Sequence, residues 1–167
     1  SGSTYVIGTF TGTFDGNGFT ISGLTKPLFE VIDGDESSPT TTISDLTLVA
    51  AAGGVSGKGI LAIEVYGGTV IDNVHVIGDV LGGSDYVGGL VGYNGGTISD
   101  SSAIGDVDGR NSVGGLVGYN DGGTITNSSA TGTVTGTRYY VGGLVGDNNG
   151  TIAESSATST VGGTNYV

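Results

Sequence analysis

Three stretches of this chain are near copies of one another, and this repetition constrains the fold more than any other feature. They read VGGLVGYNGGTISDSSAIGDV from Val87, VGGLVGYNDGGTITNSSATGTV from Val113 and VGGLVGDNNGTIAESSATSTV from Val141. An isoleucine recurs at a constant interval, at Ile71, Ile98, Ile125 and Ile152. A fixed period of this length predicts that each copy is one unit of a stack, so the whole chain is expected to be a solenoid.

Weaker copies precede the three clear ones. The places of Ile98, Ser101 and Ala103 are filled earlier by Ile71, Val74 and Val76, and before them by Ile43, Leu46 and Leu48. We interpret Gly59-Ile60-Leu61-Ala62 and Pro27-Leu28-Phe29-Glu30 as divergent forms of the Gly-Leu-Val-Gly tetrad. The chain therefore divides into a capping coil over 1–26, degenerate repeats over 27–86 and three regular repeats over 87–167.

The two ends of the chain carry separate expectations. All four phenylalanines lie at or before Phe29, which predicts an aromatic cap over the first coil. At the other end, Tyr166-Val167 matches Tyr86-Val87 and Tyr140-Val141. We therefore expect a further repeat to begin there and the chain to be a fragment of a longer protein.

Composition favours strands over helices. The chain has 36 glycines and only 12% charged residues, and it is rich in Thr, Val and Ile. Glycine disfavours helices, and β-branched residues favour strands. Short alternating segments separated by Gly and Asn turns predict a right-handed parallel β-helix of about six coils, the handedness following the usual crossover rule.

The alternation also predicts which side chains face inward. The expected inward columns contain Leu90, Leu116 and Leu144; Ile98, Ile125 and Ile152; Ala103, Ala130 and Ala157; and Val107, Val134 and Val161. Ser101, Ser128 and Ser155 form a further inward column whose hydroxyls can hydrogen-bond along the axis. Paired glycines such as Gly88-Gly89 are expected where the backbone needs a positive φ or where coils approach closely. The spacing varies at Tyr93-Asn94-Gly95, which predicts a surface turn.

Composition argues against nucleic-acid binding, disulfides and membrane insertion. Four Lys and Arg face 16 Asp and Glu, for a net charge of −12, which argues against nucleic acid. The absence of Cys excludes disulfides and thiolate sites. No apolar run reaches the length of a membrane span, so we expect no membrane insertion of this fragment.

The tetrads at Gly89–Gly92, Gly115–Gly118 and Gly143–Gly146 closely resemble the GLUG motif. The opening segment from Phe10 to Ile21 also resembles the start of such modules. GLUG repeats occur in large bacterial surface and adhesin-like proteins and in non-catalytic regions of IgA1-cleaving metalloproteases. The resemblance implies a parallel β-helix, an exported location and a stalk or binding role, with no catalytic motif.

The sequence contains few candidate catalytic residues. Asp79 and Asp106 occupy equivalent places and could stack one coil apart, about 5 Å, as a glycosidase pair or metal-assisted sugar site would require. We interpret them as a solvated turn. The single histidine, His75, falls at an outward position with no partner for a zinc site or a catalytic triad. We predict no enzyme and no catalytic residue.

Two groups of acidic residues make Ca²⁺ the candidate cofactor of this chain. The acidic cluster Asp33, Asp35 and Glu36 and the pair Asp106 and Asp108 are the candidate ligands. We interpret the first set as a solvated loop and the second as part of a solvated turn in an acidic protein. We therefore expect no metal site, with Ca²⁺ as the alternative.

Tyrosines mark the candidate ligand surface. Tyr93 and Tyr119 are expected at one corner, and Tyr139 and Tyr140 at another together with Tyr86. Tyrosine side chains can stack on sugar rings or fill protein interfaces.

The sequence thus predicts a non-enzymatic extracellular stalk or adhesion module at a cell surface. Its expected partner is a surface protein or glycan of a host or neighbouring cell, or a second copy. One alternative is a carbohydrate-binding or carbohydrate-processing β-helix that uses the tyrosines and Asp79 with Asp106. Another is a self-assembling filament subunit.

Overall fold

The described strands are all parallel to their neighbours and form three sheets that wind around one axis. A computed structural model of the chain describes residues 5–34 and 40–164. The first sheet has six strands, one for each coil: Ile7–Phe10, Phe29–Ile32, Ala62–Val65, Val91–Asn94, Val117–Asn120 and Val145–Asn148. The predicted parallel β-solenoid is therefore confirmed, while its right-handed sense stays a prediction.

The second sheet is the largest and holds most of the long strands. Its first six strands are Thr13–Asp15, Thr20–Leu24, Thr41–Ala50, Thr69–Ile77, Val80–Leu81 and Thr97–Ser99. The other six are Ser102–Ile104, Val107–Gly109, Thr124–Thr126, Ser129–Gly136, Thr151–Ala153 and Ser156–Gly163. The third sheet contains Val87–Gly88, Val113–Gly114 and Val141–Gly142. The described residues include no helix that could cross a membrane.

The register agrees with the repeat of the sequence. Ile71, Ile98, Ile125 and Ile152 pair in succession across four coils. Val80, Val107, Val134 and Val161 do the same. Leu90, Leu116, Ile98 and Ile125 are fully buried, as predicted. In the last described coil Ile152 is 39% exposed, because no described coil stacks upon it.

One tetrad alignment was wrong by one residue. Ala62 pairs with Val91, so Leu61 and not Ile60 occupies the place of Leu90. The final glycine of that tetrad is therefore replaced by Ile63. Alternation of polar and apolar residues fails here because Ile60, Leu61 and Ala62 are all fully buried. The earlier tetrad is placed correctly, since Phe29 pairs with Ala62.

The phenylalanines divide into two groups. Phe10 and Phe14 pack on the buried Phe29, with ring centroids 5.1 and 6.1 Å from it. Phe19 does not join them and is 70% exposed. Gly16 is buried instead, and a Cβ at Gly16 would lie 2.5 Å from the carbonyl oxygen of Asp45. The aromatic cap therefore contains Phe10, Phe14 and Phe29 but not Phe19.

Each coil turns at the same place through a left-handed residue. This column has φ values of 48–53° and consists of Asn17, Asp45, Asn73, Asp100, Asn127 and Glu154. Asn and Asp tolerate this conformation better than most residues, which explains their frequency here. The side chains remain exposed, and Asn73 donates a 2.7 Å hydrogen bond to Asp45 of the previous coil.

Two polar ladders run inside the solenoid. In the predicted one, Ser101 Oγ accepts a hydrogen bond from the backbone N–H of Val74 at 3.1 Å. In the next coil, Ser128 Oγ accepts a hydrogen bond from the backbone N–H of Ser101 at 3.2 Å. In the coil after that, Ser155 Oγ accepts one from the N–H of Ser128 at 3.1 Å. Each hydroxyl also donates to the carbonyl two residues earlier in its own coil. The serine column is therefore fully bonded along the axis, as expected.

The second ladder corrects the prediction of a surface turn at Asn94. Asn94 and Asn120 are fully buried. Asn94 Nδ2 donates to Asn120 Oδ1 at 2.8 Å, and Asn120 Nδ2 donates to Asn148 Oδ1 at 2.7 Å. The length variation is absorbed just after Asn120, at the inserted Asp121 and the exposed, left-handed Gly122. A buried amide ladder thus lies directly beside a true surface turn.

Candidate functional site

Four tyrosines form a continuous outward cluster beside the first sheet. Tyr93 and Tyr119 are register neighbours in adjacent coils, with ring centroids 5.8 Å apart. Tyr66 lies 5.7 Å from Tyr93, and Tyr86 stacks on Tyr119 at 5.4 Å. We call Tyr66, Tyr93, Tyr119 and Tyr86 the tyrosine strip. The two central rings are half-buried, and the end rings Tyr66 and Tyr86 are 40% and 41% exposed.

The backbone explains how Tyr86 reaches the strip. Tyr86 is left-handed, with a φ of 59°, and it turns the chain into the third sheet. Gly118, the last glycine of its tetrad, lies against this corner: a Cβ there would be 2.5 Å from Val87 N and 2.6 Å from Tyr86 C. The glycine permits the direct backbone contact that brings Tyr86 beside Tyr119. Tyr86 and Tyr140 do occupy the same corner of the repeat, two coils apart, as predicted. The stacking of Tyr86 on Tyr119 was not predicted.

Carboxylates border the strip on several sides. The Tyr93 hydroxyl donates to Asp121 at 2.9 Å, and the Tyr66 hydroxyl donates to Glu64 at 2.6 Å. Asp147 is the register neighbour of Tyr119 on the side away from Tyr93. Asn149 donates to the second oxygen of Asp121 at 3.2 Å, which holds that carboxylate in place.

These contacts shift the protonation equilibria of the strip. Desolvation and then the Asp121 hydrogen bond raise the pKa of Tyr93 to about 12. Desolvation, followed by the charge of Asp121, also raises the pKa of Tyr119. The hydrogen bonds from Tyr93 and then Asn149 lower the pKa of Asp121. At neutral pH the phenols are therefore neutral donors and Asp121 is an anion.

A lysine also contacts the strip. Lys58 Nζ lies 5.8 Å from the centroid of the Tyr86 ring, a distance typical of a cation–π contact. Tyr86 thus has Tyr119 on one side and an ammonium group near its ring. Sequence analysis identified Tyr93 and Tyr119 but missed Tyr66, Glu64, Asp121, Asp147 and Lys58. Glu64 and Asp147 share the register column of Tyr93 and Tyr119, so the repeat could have identified them. Tyr66, Asp121 and Lys58 lie outside the strands, where the repeat gives no guide.

The other predicted tyrosine surface is smaller. Tyr139 and Tyr140 contact each other at 6.4 Å, and both are exposed. Tyr140 has a φ of 60° and so repeats the left-handed corner of Tyr86.

The candidate carboxylate pair is engaged by the backbone. Asp79 accepts a 2.9 Å hydrogen bond from the N–H of Asp106, and Asp106 accepts a 2.7 Å bond from the N–H of Thr133. The two acids stack one coil apart, as expected, but each carboxylate links its coil to the next. This arrangement fits a structural role for Asp79 and Asp106.

The calcium candidates are not brought together in the part of the chain that the structure describes. Across residues 5–34 and 40–164, no three His, Cys, Asp or Glu side chains are grouped in a way that could hold a metal ion. Asp108 pairs in register with Leu81 and Thr135, and the nearby Arg110 forms a 3.1 Å ion pair with Asp85. Asp33 is described, whereas Asp35 and Glu36 lie outside the described residues.

His75 lies on the outward face, in register with Ser102. Its two ring nitrogens lie 2.8 Å from Ser102 Oγ and 3.0 Å from Asn73 Oδ1. Both contacts link the imidazole to surface hydroxyl and amide groups, as its outward position predicted.

Comparison with known proteins identifies the repeats. Residues 83–108 and 109–135 each match the family model of the GLUG motif. The predicted resemblance is confirmed for these two repeats.

The chain is also similar to short regions of much longer proteins. It is 44% identical over 94 residues to the immunoglobulin A1 protease of Streptococcus pneumoniae, which is 52% of this chain and 4% of that protein. It is 41% identical over 96 residues to the Streptococcus sanguinis protein of the same name, a match that covers 53% of this chain and 5% of that protein. The chain thus matches only a twentieth or less of the curated relatives' length.

A solved structure shares the architecture. The crystal structure of a candidate immunoglobulin A1 protease from Bacteroides ovatus superposes with a TM-score of 0.72 at 24% identity. The match covers 90% of this chain and 52% of the other. At this identity the likeness supports the β-solenoid fold alone.

Proposed function

We propose that this chain, whose repeats carry the GLUG motif, is a stiff, non-catalytic spacer within a larger extracellular bacterial protein. The observation that supports this most directly is the continuity of the bonding between coils. Six first-sheet strands follow one another in register, and the serine and asparagine ladders link successive coils inside. Because successive coils share one core, a solenoid of this kind resists bending. It therefore holds the flanking parts of the protein at a set distance.

The absence of catalysis is part of the proposal. The stacked acids Asp79 and Asp106, the best catalytic pair in the sequence, are each used as backbone acceptors. The single histidine faces outward between surface hydroxyl and amide groups. These arrangements favour a structural module.

The extracellular location rests on the relatives and the composition. The curated relatives are named for an activity on immunoglobulin A1, a protein found outside cells. A chain without cysteine and with a net charge of −12 suits such an environment, since its stability comes from stacking.

Stiffness can be measured directly because the chain has no native cysteine. Thr20→Cys and Thr158→Cys place exposed spin labels in the first and last described coils. Pulsed electron resonance should give one narrow distance distribution. The same labels in an Asn120→Ala/Ser128→Ala background, with both ladders broken, serve as the matched control and should give a broader one. A broad distribution in the parent chain would contradict a spacer.

Sedimentation over a concentration series separates the spacer from a self-assembling filament. A spacer keeps one sedimentation coefficient across the series. Growth into longer species would instead support a filament subunit.

A further inference from the structure

The tyrosine strip has features that a passive spacer does not require. Tyr66 and Tyr86 expose two-fifths of their surface, and all four rings lie in contact along neighbouring coils. Contiguous exposed aromatics are typical of binding surfaces, because tyrosine offers a large contact area at a low cost in side-chain entropy. This surface calls for a function beyond spacing.

The charged groups around the strip favour a partner of positive charge. Glu64 and Asp121 bind the hydroxyls of the strip, and Asp147 lies next to Tyr119. The Lys58 ammonium lies against the Tyr86 ring. These three carboxylates border the strip within a chain of net charge −12, so the surface is negative. Such a surface attracts cations and repels anionic glycans and phosphates.

The ring geometry favours cationic side chains over sugars. The interplanar angles of 50° and 71° within Tyr66, Tyr93 and Tyr119 do not make the flat platform on which a sugar ring stacks. The hydroxyls of Tyr66 and Tyr93 already donate to carboxylates, so they are not free to donate to a sugar. Arginine and lysine can instead use ring faces and carboxylates together.

The chain itself contains an example of this contact. Lys58 Nζ sits 5.8 Å from the Tyr86 ring at one end of the strip. At the other end, the exposed Tyr66 ring lies beside the Glu64 carboxylate. A basic side chain of a partner can contact the Tyr66 ring as Lys58 contacts the Tyr86 ring, and can pair with the Glu64 carboxylate.

We propose that the tyrosine strip, with Glu64, Asp121 and Asp147, is a docking surface for an arginine- and lysine-rich segment of a partner protein. Aromatic rings receive the cationic side chains and the carboxylates pair with them. The inference goes beyond the spacer role, and either can fail while the other stands.

The experiment uses the whole chain and a fluorescent decapeptide of alternating arginine and glycine, followed by anisotropy. The same peptide with citrulline in place of arginine keeps the shape and removes the charge. We expect the arginine peptide to bind and the citrulline peptide to bind at least tenfold more weakly. Equal binding of the two peptides, or no binding of the arginine peptide at millimolar concentration, would overturn the proposal.

Matched variants locate the binding. Glu64→Gln/Asp147→Asn removes two charges at the strip, and Asp100→Asn/Asp108→Asn removes two on the second sheet. We expect the first pair to weaken binding about fivefold and the second less than twofold. Asn is a safe control at residue 100 because Asn73 and Asn127 hold equivalent left-handed positions. Equal losses from the two pairs would show only general attraction to an acidic chain and would contradict a defined surface.

A ring variant tests the aromatic part. Tyr66→Leu should weaken binding of the arginine peptide about threefold, the value of an exposed cation–π contact. Circular dichroism confirms that each variant keeps its fold. If Tyr66→Leu instead abolishes binding of neutral oligosaccharides, and Glu64→Gln/Asp147→Asn leaves that binding intact, the strip is a glycan surface and the proposal is wrong.

Discussion

The hydroxyl of Ser128 accepts a 3.2 Å hydrogen bond from the backbone N–H of Ser101, one coil away, and donates to the carbonyl of Thr126 in its own coil. A side chain thus replaces the strand-to-strand bond at a point where each coil bends. Ser128 is buried, so this hydrogen bond is shielded from bulk solvent.

Ser128→Ala should therefore leave the N–H of Ser101 without a partner. We expect a loss of about 1–3 kcal/mol in the free energy of unfolding. The neighbouring Ser129→Ala is the matched control, because that side chain faces outward, and it should change stability by less than about 0.5 kcal/mol. Urea unfolding of both variants makes the comparison. Equal effects would contradict a ladder role for Ser128.

The asparagine ladder should be more sensitive in its middle than at its end. Asn120→Ala removes the acceptor of Asn94 and the donor to Asn148 and Gly123. With at least two partners orphaned, we expect a loss of about 2–4 kcal/mol. Asn148→Ala, at an exposed site, should cost clearly less. Thermal and urea unfolding would refute the ladder if the two substitutions were equivalent.

The final glycine of the tetrad should be irreplaceable. A Cβ at Gly118 would lie 2.5 Å from Val87 N and 2.7 Å from the Gly92 oxygen, both of them backbone atoms. Gly118→Ala should therefore destabilise the chain by about 1–3 kcal/mol or more, and should loosen the Tyr86–Tyr119 contact. Gly162→Ala, whose Cβ would meet nothing within 4 Å, is the control and should be close to neutral. Near-ultraviolet circular dichroism reports the tyrosine environment alongside the unfolding data.

The raised pKa of Tyr93 predicts a late ionisation. The folded value of about 12 lies above the ordinary value of 10.0, so the neutral phenol is favoured in the folded state. This stabilisation is complete below pH 10 and is lost as pH rises from about 10 to about 12. A titration followed at 295 nm should lack its latest step in Tyr93→Phe. In Asp121→Asn the step should move to lower pH but not return fully to 10.0, because desolvation remains. A Tyr93→Phe titration identical to that of the parent would contradict this assignment.

Much of the fold could be predicted from the sequence because stacking imposes a strict period. Ile98 pairs with Ile71 and Ile125 since every coil must place a hydrophobic residue at that point. The serine column was predictable for the same reason. Asn94 was not, since Asn beside Gly is the usual mark of an exposed turn and only the three-dimensional stack shows the amides meeting inside.

The candidate surface was predictable only in part. Tyr93 and Tyr119 share a register position, so their contact follows from the repeat. Tyr86 and Tyr119 occupy different places in the repeat and meet because a left-handed corner packs on a glycine. Sequence periodicity carries no information about such contacts across a corner.

The inserted Asp121 has a consequence for how such chains can change length. Each coil is bonded only to the one before and the one after, through the same donors and acceptors. Duplication or deletion of a whole repeat therefore rejoins matching ladders. Single-residue insertions lie in the turns, at Asp121-Gly122 and between Gly136 and Val141, where they leave the ladders intact. Recombination between near-identical repeats in the gene can thus lengthen or shorten the protein in whole coils and leave its cross-section unchanged.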